Sequence, residues 1–251
     1  MTSDTNNGDT PDFSGRMFLY ESPELLSRQR HQGMGLVSAT RDFEFAREAT
    51  GVPLAMTELV SASKNFPVVF VGGKNPGLSV TLGFPHRENL FVCKDGRWER
   101  DAYVPAYLDC HPFALARSEK NEVALVLDRA SALIGEDPVI PFFDGDDLSP
   151  EMRSRAKFCA QFDADQAMTQ AFCRRVEELG LLSTQAAFYG REGSDGGEQE
   201  LAEYLAVDAG KLAALDKDLV HELHANGYLS YIYAHLFSLE NWARMADRLY
   251  R

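Results

Sequence analysis

Apolar side chains recur along this chain in two rhythms, and the change between them falls near Ser149. Before that point, short apolar runs alternate with turn residues. Pro67-Val-Val-Phe-Val71 is β-branched and aromatic, and Leu78 to Leu82 alternates apolar with polar. Both predict strands, and Gly72-Gly73-Lys74-Asn75-Pro76-Gly77 between them predicts the turn of a hairpin. Asn89 to Glu99, with Lys94-Asp95-Gly96 at its centre, predicts a second hairpin. Pro112–Arg117 and Glu122–Leu127 predict two further strands, and Val139–Phe143 a short edge piece flanked by prolines. Two helices are expected in this half. Ser22 would cap one that starts at Pro23, and the other would run from Pro53 to Asn65 on the spacing of Leu54, Ala55, Leu59, Val60 and Ala62.

From Ser149 onward the period lengthens to that of a helix. Ser149-Pro150-Glu151 places a capping hydroxyl, a proline in the first turn and an acid at the positive end of the dipole. The helix it opens is expected to reach Leu179, with Gly180 as its C-cap. Thr184–Tyr189 and Glu200–Val207 predict one extra hairpin. Asp208 caps a short helix through Leu215, and a final helix is expected from Asp216 or Asp218 nearly to Arg251, interrupted at Gly227, which allows a kink or a close helix crossing. The fold class is therefore α+β, with a mainly antiparallel sheet packed by helices in the N-terminal half and a helical C-terminal half. Residues 1–15 are polar and predict a disordered tail. Residues 16–251 are expected to form a single domain with a sub-boundary near 148.

Composition narrows the function classes. A formal net charge of -13 repels phosphate backbones, so nucleic acid is not an expected partner. No apolar stretch approaches the ~20 residues of a membrane span, so no integral membrane insertion is expected. The N-terminus has neither a basic start nor an apolar core, so a cytoplasmic location is expected.

The chemistry-bearing residues form no complete catalytic pattern. Cys93, Cys110, Cys159 and Cys173 lack metal-ligand spacing. His221-Glu222-Leu223-His224 puts two histidines on one helical face without the spacing of a metalloprotease, and His235 or Asp218 would have to complete a site. Cys110-His111 are neighbours, and adjacent strand residues point to opposite faces. Asp144-Gly145-Asp146-Asp147 lacks the other positions of a calcium loop. Gly72 to Gly77 lacks the order of a phosphate loop. No metal and no cofactor are therefore expected. Trp98, Tyr103, Pro105, Tyr107 and Phe113 combine aromatics with proline, the composition of a groove for a peptide, and equally that of a seam between sheet and helices.

Several strings resemble the SapC family of bacterial proteins. They are Glu88 to Val92, Asp95-Gly96-Arg97-Trp98, Tyr103-Val104-Pro105-Ala106-Tyr107-Leu108 and Pro112-Phe113, then Thr169 to Phe172, Leu179 to Leu182, Leu223 to Gly227 and Ile232 to Leu239. The family is named for a link to a bacterial surface layer. Its members are often encoded near outer-membrane receptors and halogenase-like enzymes. The resemblance implies a role in surface or peptide-related systems and transfers no catalytic residues. The expected function is a non-enzymatic cytoplasmic accessory that binds a peptide or protein client. The alternatives are an enzyme on a peptide or amino-acid derivative, using His111, Asp109, His221 and Glu222, and a structural surface-layer component.

Overall fold

The computed structural model describes residues 17–85, 87–117, 123–189 and 199–249. The polar tail expected at 1–15 lies outside them, as does the loop between the two strands of the C-terminal hairpin. The chain forms two compact units, each assembled from separate stretches: 1–40 with 110–160, and 41–109 with 161–251.

The chain begins in the first unit with β1 (Pro23–Leu25), α1 (Arg28–His31) and β2 (Met34–Leu36). It passes to the second for β3 (Gly51–Leu54), α2 (Leu59–Ala62), β4 (Val68–Val71) and β5 (Gly77–Thr81), and α3 (Ala106–Cys110) ends that stretch. Back in the first unit come β6 (Phe113–Arg117), β7 (Val123–Asp128), β8 (Ile134–Glu136), β9 (Ile140–Pro141), β10 (Phe143–Asp144) and β11 (Asp147–Leu148). The long helix α4 (Pro150–Glu178) carries the chain into the second unit for good. There follow β12 (Leu182–Tyr189), β13 (Gln199–Val207), α5 (Ala209–Ala213), α6 (Lys217–Ala225), α7 (Tyr228–Ser238) and α8 (Asn241–Leu249).

All strand pairings among the described residues are antiparallel. The first unit holds a three-stranded sheet β1-β7-β6, a second in the order β8-β2-β9, and the small β10-β11 hairpin. Its core includes Phe113, Leu127, Phe142 and Met152. The second unit is built on one five-stranded sheet in the order β12-β13-β4-β5-β3. The strand that ties the C-terminal hairpin to the earlier sheet is β13, which meets β4 at Leu205↔Phe70. One face packs Phe70 against Phe172 of α4 and His235 of α7. The other face takes Trp242 and Met245 of α8 against Phe84, Ala187, Val69 and Tyr204.

The predicted capping chemistry of α4 is present. Ser149 Oγ accepts from the Met152 N–H at 3.3 Å, and Gly180 takes φ +66 while the Leu181 N–H returns to Val176 O. Asp208 caps α5 through the Gly210 and Lys211 N–H groups.

Four element readings are corrected. Pro23 opens a strand, because β1 lies at a sheet edge where a missing N–H breaks no ladder. Residues 51–54 form edge strand β3 with Val52 and Leu54 buried, so only Leu59–Ala62 is α-helical in the stretch read as one helix. The Asn89–Glu99 hairpin contracts to a single bridge, Val92↔Trp98. The final helix is three helices. Gly227 takes φ +80, a left-handed conformation that ends α6 and starts α7, and a second break follows Ser238.

Candidate functional site

The aromatic and proline side chains expected to line a groove divide between the units. Phe113 is 0% exposed, and its ring stands edge-on to Phe142 at 5.8 Å, in the core of the first unit. Trp98, Tyr103, Pro105 and Tyr107 belong to the second unit, where the polar side-chain atoms of Trp98 and Tyr103 are engaged internally. Trp98 stacks on Phe91 at 5.8 Å and packs near Phe43, and its indole N–H donates to Tyr103 O at 3.0 Å. The Tyr103 hydroxyl donates to Glu58 Oε1 at 2.9 Å, and the Ala106 N–H reaches the same oxygen at 2.7 Å. The Ala55 N–H donates to Glu58 Oε2 at 2.9 Å. Burial pushes the Glu58 carboxyl above the usual range, and these three donors oppose that shift. Burial, then the neighbouring Glu58, pushes the Tyr103 phenol up. Pro105 is buried at the start of α3, and Tyr107 packs against Phe162 at 6.0 Å. This segment is a half-buried brace around one carboxyl group.

The other residues singled out by type are likewise dispersed. His221 and His224 are exposed, and Glu222 binds Arg175 through two hydrogen bonds of 2.8 and 2.7 Å. Asp109 pairs with Arg41. His111 is buried, with Nε2 at 3.5 Å from Asp128 Oδ2, and burial lowers its pKa to about 4 against the pull of Asp128. Asp128 is occupied by the Glu21, Ser22 and Ala130 N–H groups. Asp144–Asp147 forms the turn of the β10-β11 hairpin, and Asp146 pairs with Arg28. Among the described residues, no group of three His, Cys, Asp or Glu side chains is placed to hold a metal ion. Gly72–Gly77 is the hairpin turn between β4 and β5, as predicted.

A concave site does exist in the second unit, over the outer strands of its sheet. Pairing of β3 with β5 and of β5 with β4 sets Val52, Leu54, Leu78, Val80, Val68 and Phe70 on the buried face. Gly51, Pro53, Ser79 and Val71 alternate to the other face. At Gly51 the backbone lies close to Ser79: a β-carbon there would be 3.2 Å from Ser79 Oγ and 3.0 Å from Val80 O. Ser79 Oγ donates to Val52 O at 3.1 Å, so its lone pairs remain to accept. Helix α4 supplies Gln166 and Gln170, one turn apart. Their placement is fixed by Thr169, which takes the Met56 N–H at 2.8 Å, and by Asp165, which accepts from Thr57 Oγ1 at 2.8 Å.

Together with Asn75, Pro76 and Gly77, these residues enclose a pocket of about 260 Å³. Its lining holds amides, one hydroxyl, prolines and aliphatic groups, and none of the lining side chains ionises. Gln166 Nε2 is buried and has no acceptor among the described residues. Of this set, Val71, Leu78 and Ser79 fall in strands expected from the sequence, Asn75–Gly77 in the expected hairpin turn, Pro53 at the start of an expected helix, and Gln170 in one of the strings that resemble the SapC family. Helical periodicity alone does not separate Gln166 and Gln170 from the solvated face of any long helix.

The fold and the pocket define an α+β protein with a small neutral pocket on an antiparallel sheet. The SapC family model matches residues 26–245, and the chain belongs to the SapC family. No curated protein and no solved structure matches it. Among the described residues, no helix is long and apolar enough to cross a membrane.

Proposed function

We propose that this protein is a non-enzymatic accessory that holds a peptide or protein client, with the pocket over β3, β5 and β4 as the seat. The observation that carries this reading is the lining itself. Asn75, Ser79, Gln166 and Gln170 offer hydrogen bonds to neutral polar groups, and Val52, Pro53, Val71, Pro76 and Leu78 offer apolar walls. That combination matches the surface of a polypeptide, whose main chain is neutral and amide-rich. The family resemblance links the role to a surface-layer or outer-membrane system, and the protein would act from the cytoplasm.

The test is affinity capture of the tagged full chain from its own cells, run beside a Val71→Trp variant that fills the pocket. A stoichiometric polypeptide recovered with the parent chain and lost with the variant is the expected result. Recovery of no polypeptide, or of one unaffected by the variant, would remove the pocket as the seat of a client. A small molecule consumed on incubation with the pure protein would favour an enzyme.

A further inference from the structure

We infer that the pocket reads a single uncharged residue of an extended client segment, and that a primary carboxamide side chain, Asn or Gln, is its best match. This rests on the client-binding reading above and names what the site recognises. Size sets the first limit. About 260 Å³ lies below the ~300–1,000 Å³ of sites that enclose drug-sized ligands. It suits the side chain and main chain of a residue, and not a nucleotide or flavin.

Charge sets the second limit. The apolar part of the lining comes from Val52, Pro53, Val71, Pro76 and Leu78, of which Val71 is the most exposed, with neutral amides and one hydroxyl beside them. An ionised side chain placed there exchanges part of its water for a lining without a charged side chain, which is unfavourable. An aliphatic side chain satisfies the walls and leaves the polar groups unmatched.

Hydrogen-bond complementarity selects the carboxamide. Gln166 Nε2 is a buried donor with no acceptor among the described residues. A buried donor left unpaired is a standing cost that a ligand oxygen removes. No internal acceptor holds the amide in its present orientation, and the terminal torsion of glutamine is broad, so a turn about it presents the N–H groups to a ligand carbonyl. Ser79 already donates inward to Val52 O, so toward the pocket it can only accept. A site with a spare donor on one wall and a spare acceptor on another fits a group that carries both, C=O and NH₂ together.

The experiment uses the full chain, labelled with ¹⁵N, and capped tripeptides of the form acetyl-Ala-X-Ala-N-methylamide, a cap that adds no primary amide of its own. With X as Gln, titration is expected to move the side-chain NH₂ signals of Gln166. Affinity for X as Glu, the charged isostere, should be about tenfold weaker or less at neutral pH, and X as Leu should fall between. Gln166→Met, close in shape, should erase the preference of Gln over Leu while the thermal midpoint holds or rises, since the variant deletes an unpaired donor. Equal affinity for Gln and Glu peptides overturns the inference, as does a Gln preference that survives in Gln166→Met. If the peptides fail while a client is still captured from cells and lost in Val71→Trp, the client-binding reading stands without this specificity. If the peptides bind in the stated order and no client is captured, the pocket's specificity stands and the accessory role fails.

Discussion

The main-chain N–H of Val207, at the end of β13, donates to Nε2 of His235 on α7 at 3.1 Å. His235 is 0% exposed, and Phe70 of β4 stands edge-on to its ring at 4.9 Å. Accepting at Nε2 requires the neutral imidazole with its proton on Nδ1. Protonation at Nε2 would place a charge in the core and remove the acceptor together.

This bond makes stability depend on pH in a defined direction. Burial lowers the pKa of His235 to about 4, and burial also lowers that of His111 to about 4. In the unfolded chain a histidine titrates near 6.5. Between those values the unfolded state binds more protons than the folded one, so stability is complete above the upper value and is lost as pH falls toward the lower. Each residue contributes on the order of 3 kcal/mol across the window. Urea midpoints measured through that range should fall with acid, and His235→Gln, which keeps an acceptor for Val207, should show a shallower fall. A profile with no slope there would mean that neither imidazole is held neutral.

The brace around Glu58 predicts that its aromatic members act on stability. Trp98→Ala removes the stack on Phe91 and the N–H donated to Tyr103 O, and should cost about 3 kcal/mol. Tyr103→Phe deletes one of three donors to Glu58 and should cost about 1–2 kcal/mol. Chemical denaturation reads both, and client capture by the folded variants should persist. Lost capture at unchanged stability would restore this segment as a contact face.

Gly35 of β2 is paired on both sides, with Gly135 of β8 and Pro141 of β9. A β-carbon at this position would lie 2.2 Å from Ile140 O and 2.6 Å from Pro138 Cβ. Gly35→Ala therefore has to separate β2 from β9, a loss of about 3 kcal/mol. Gly73→Asn is the control, since nothing lies within 4 Å of its β-carbon and asparagine tolerates its φ of +99 better than other side chains. Comparing the two urea midpoints separates crowding from conformational strain.

Thiol labelling should report the burial of the cysteines. Cys93 is exposed, and Cys110, Cys159 and Cys173 are buried. Burial pushes the Cys173 thiol up to about 12, which leaves almost no thiolate at neutral pH. Cys159 is held below the usual range by a hydrogen bond with Cys110, with Arg155 adding to the effect. An aromatic disulfide reagent should titrate one thiol in the native protein and all four in denaturant. Second in order, on slow opening, should come Cys159 and not Cys173.

Local signals in the sequence predicted many of the elements and few of their partners. The β4-β5 hairpin, the β6 and β7 strands, the capped α4 and the β12-β13 hairpin follow from β-branched runs, turn residues and caps, which act over a few residues. The pairing of Leu205 with Phe70 does not follow, because alternation reports a strand's buried face and says nothing of its neighbour. Gly227 falls in an apolar pattern that continues in phase on both sides, so periodicity alone showed a kink where the backbone turns left-handed. The site was less legible still. Trp98 and Tyr103 have the composition of a groove, and the acceptors that engage them, Tyr103 O and Glu58, become visible only in the fold. Gln166 and Gln170 become notable only when Thr169 and Asp165 dock α4 beside β3.

The place of β13 between β12 and β4 has a consequence for synthesis on the ribosome. When β3, β4 and β5 have emerged and paired in the order β4-β5-β3, the outer side of β4 still lacks its neighbour, and the strand that will cover it comes about a hundred residues or more later. Until then the nascent chain presents the unpaired edge of a β-branched strand, Val68–Val71, to anything nearby. A chain that stalls before Val207 would therefore be exposed to strand-by-strand association, and the pace of translation across α4 sets how long that exposure lasts.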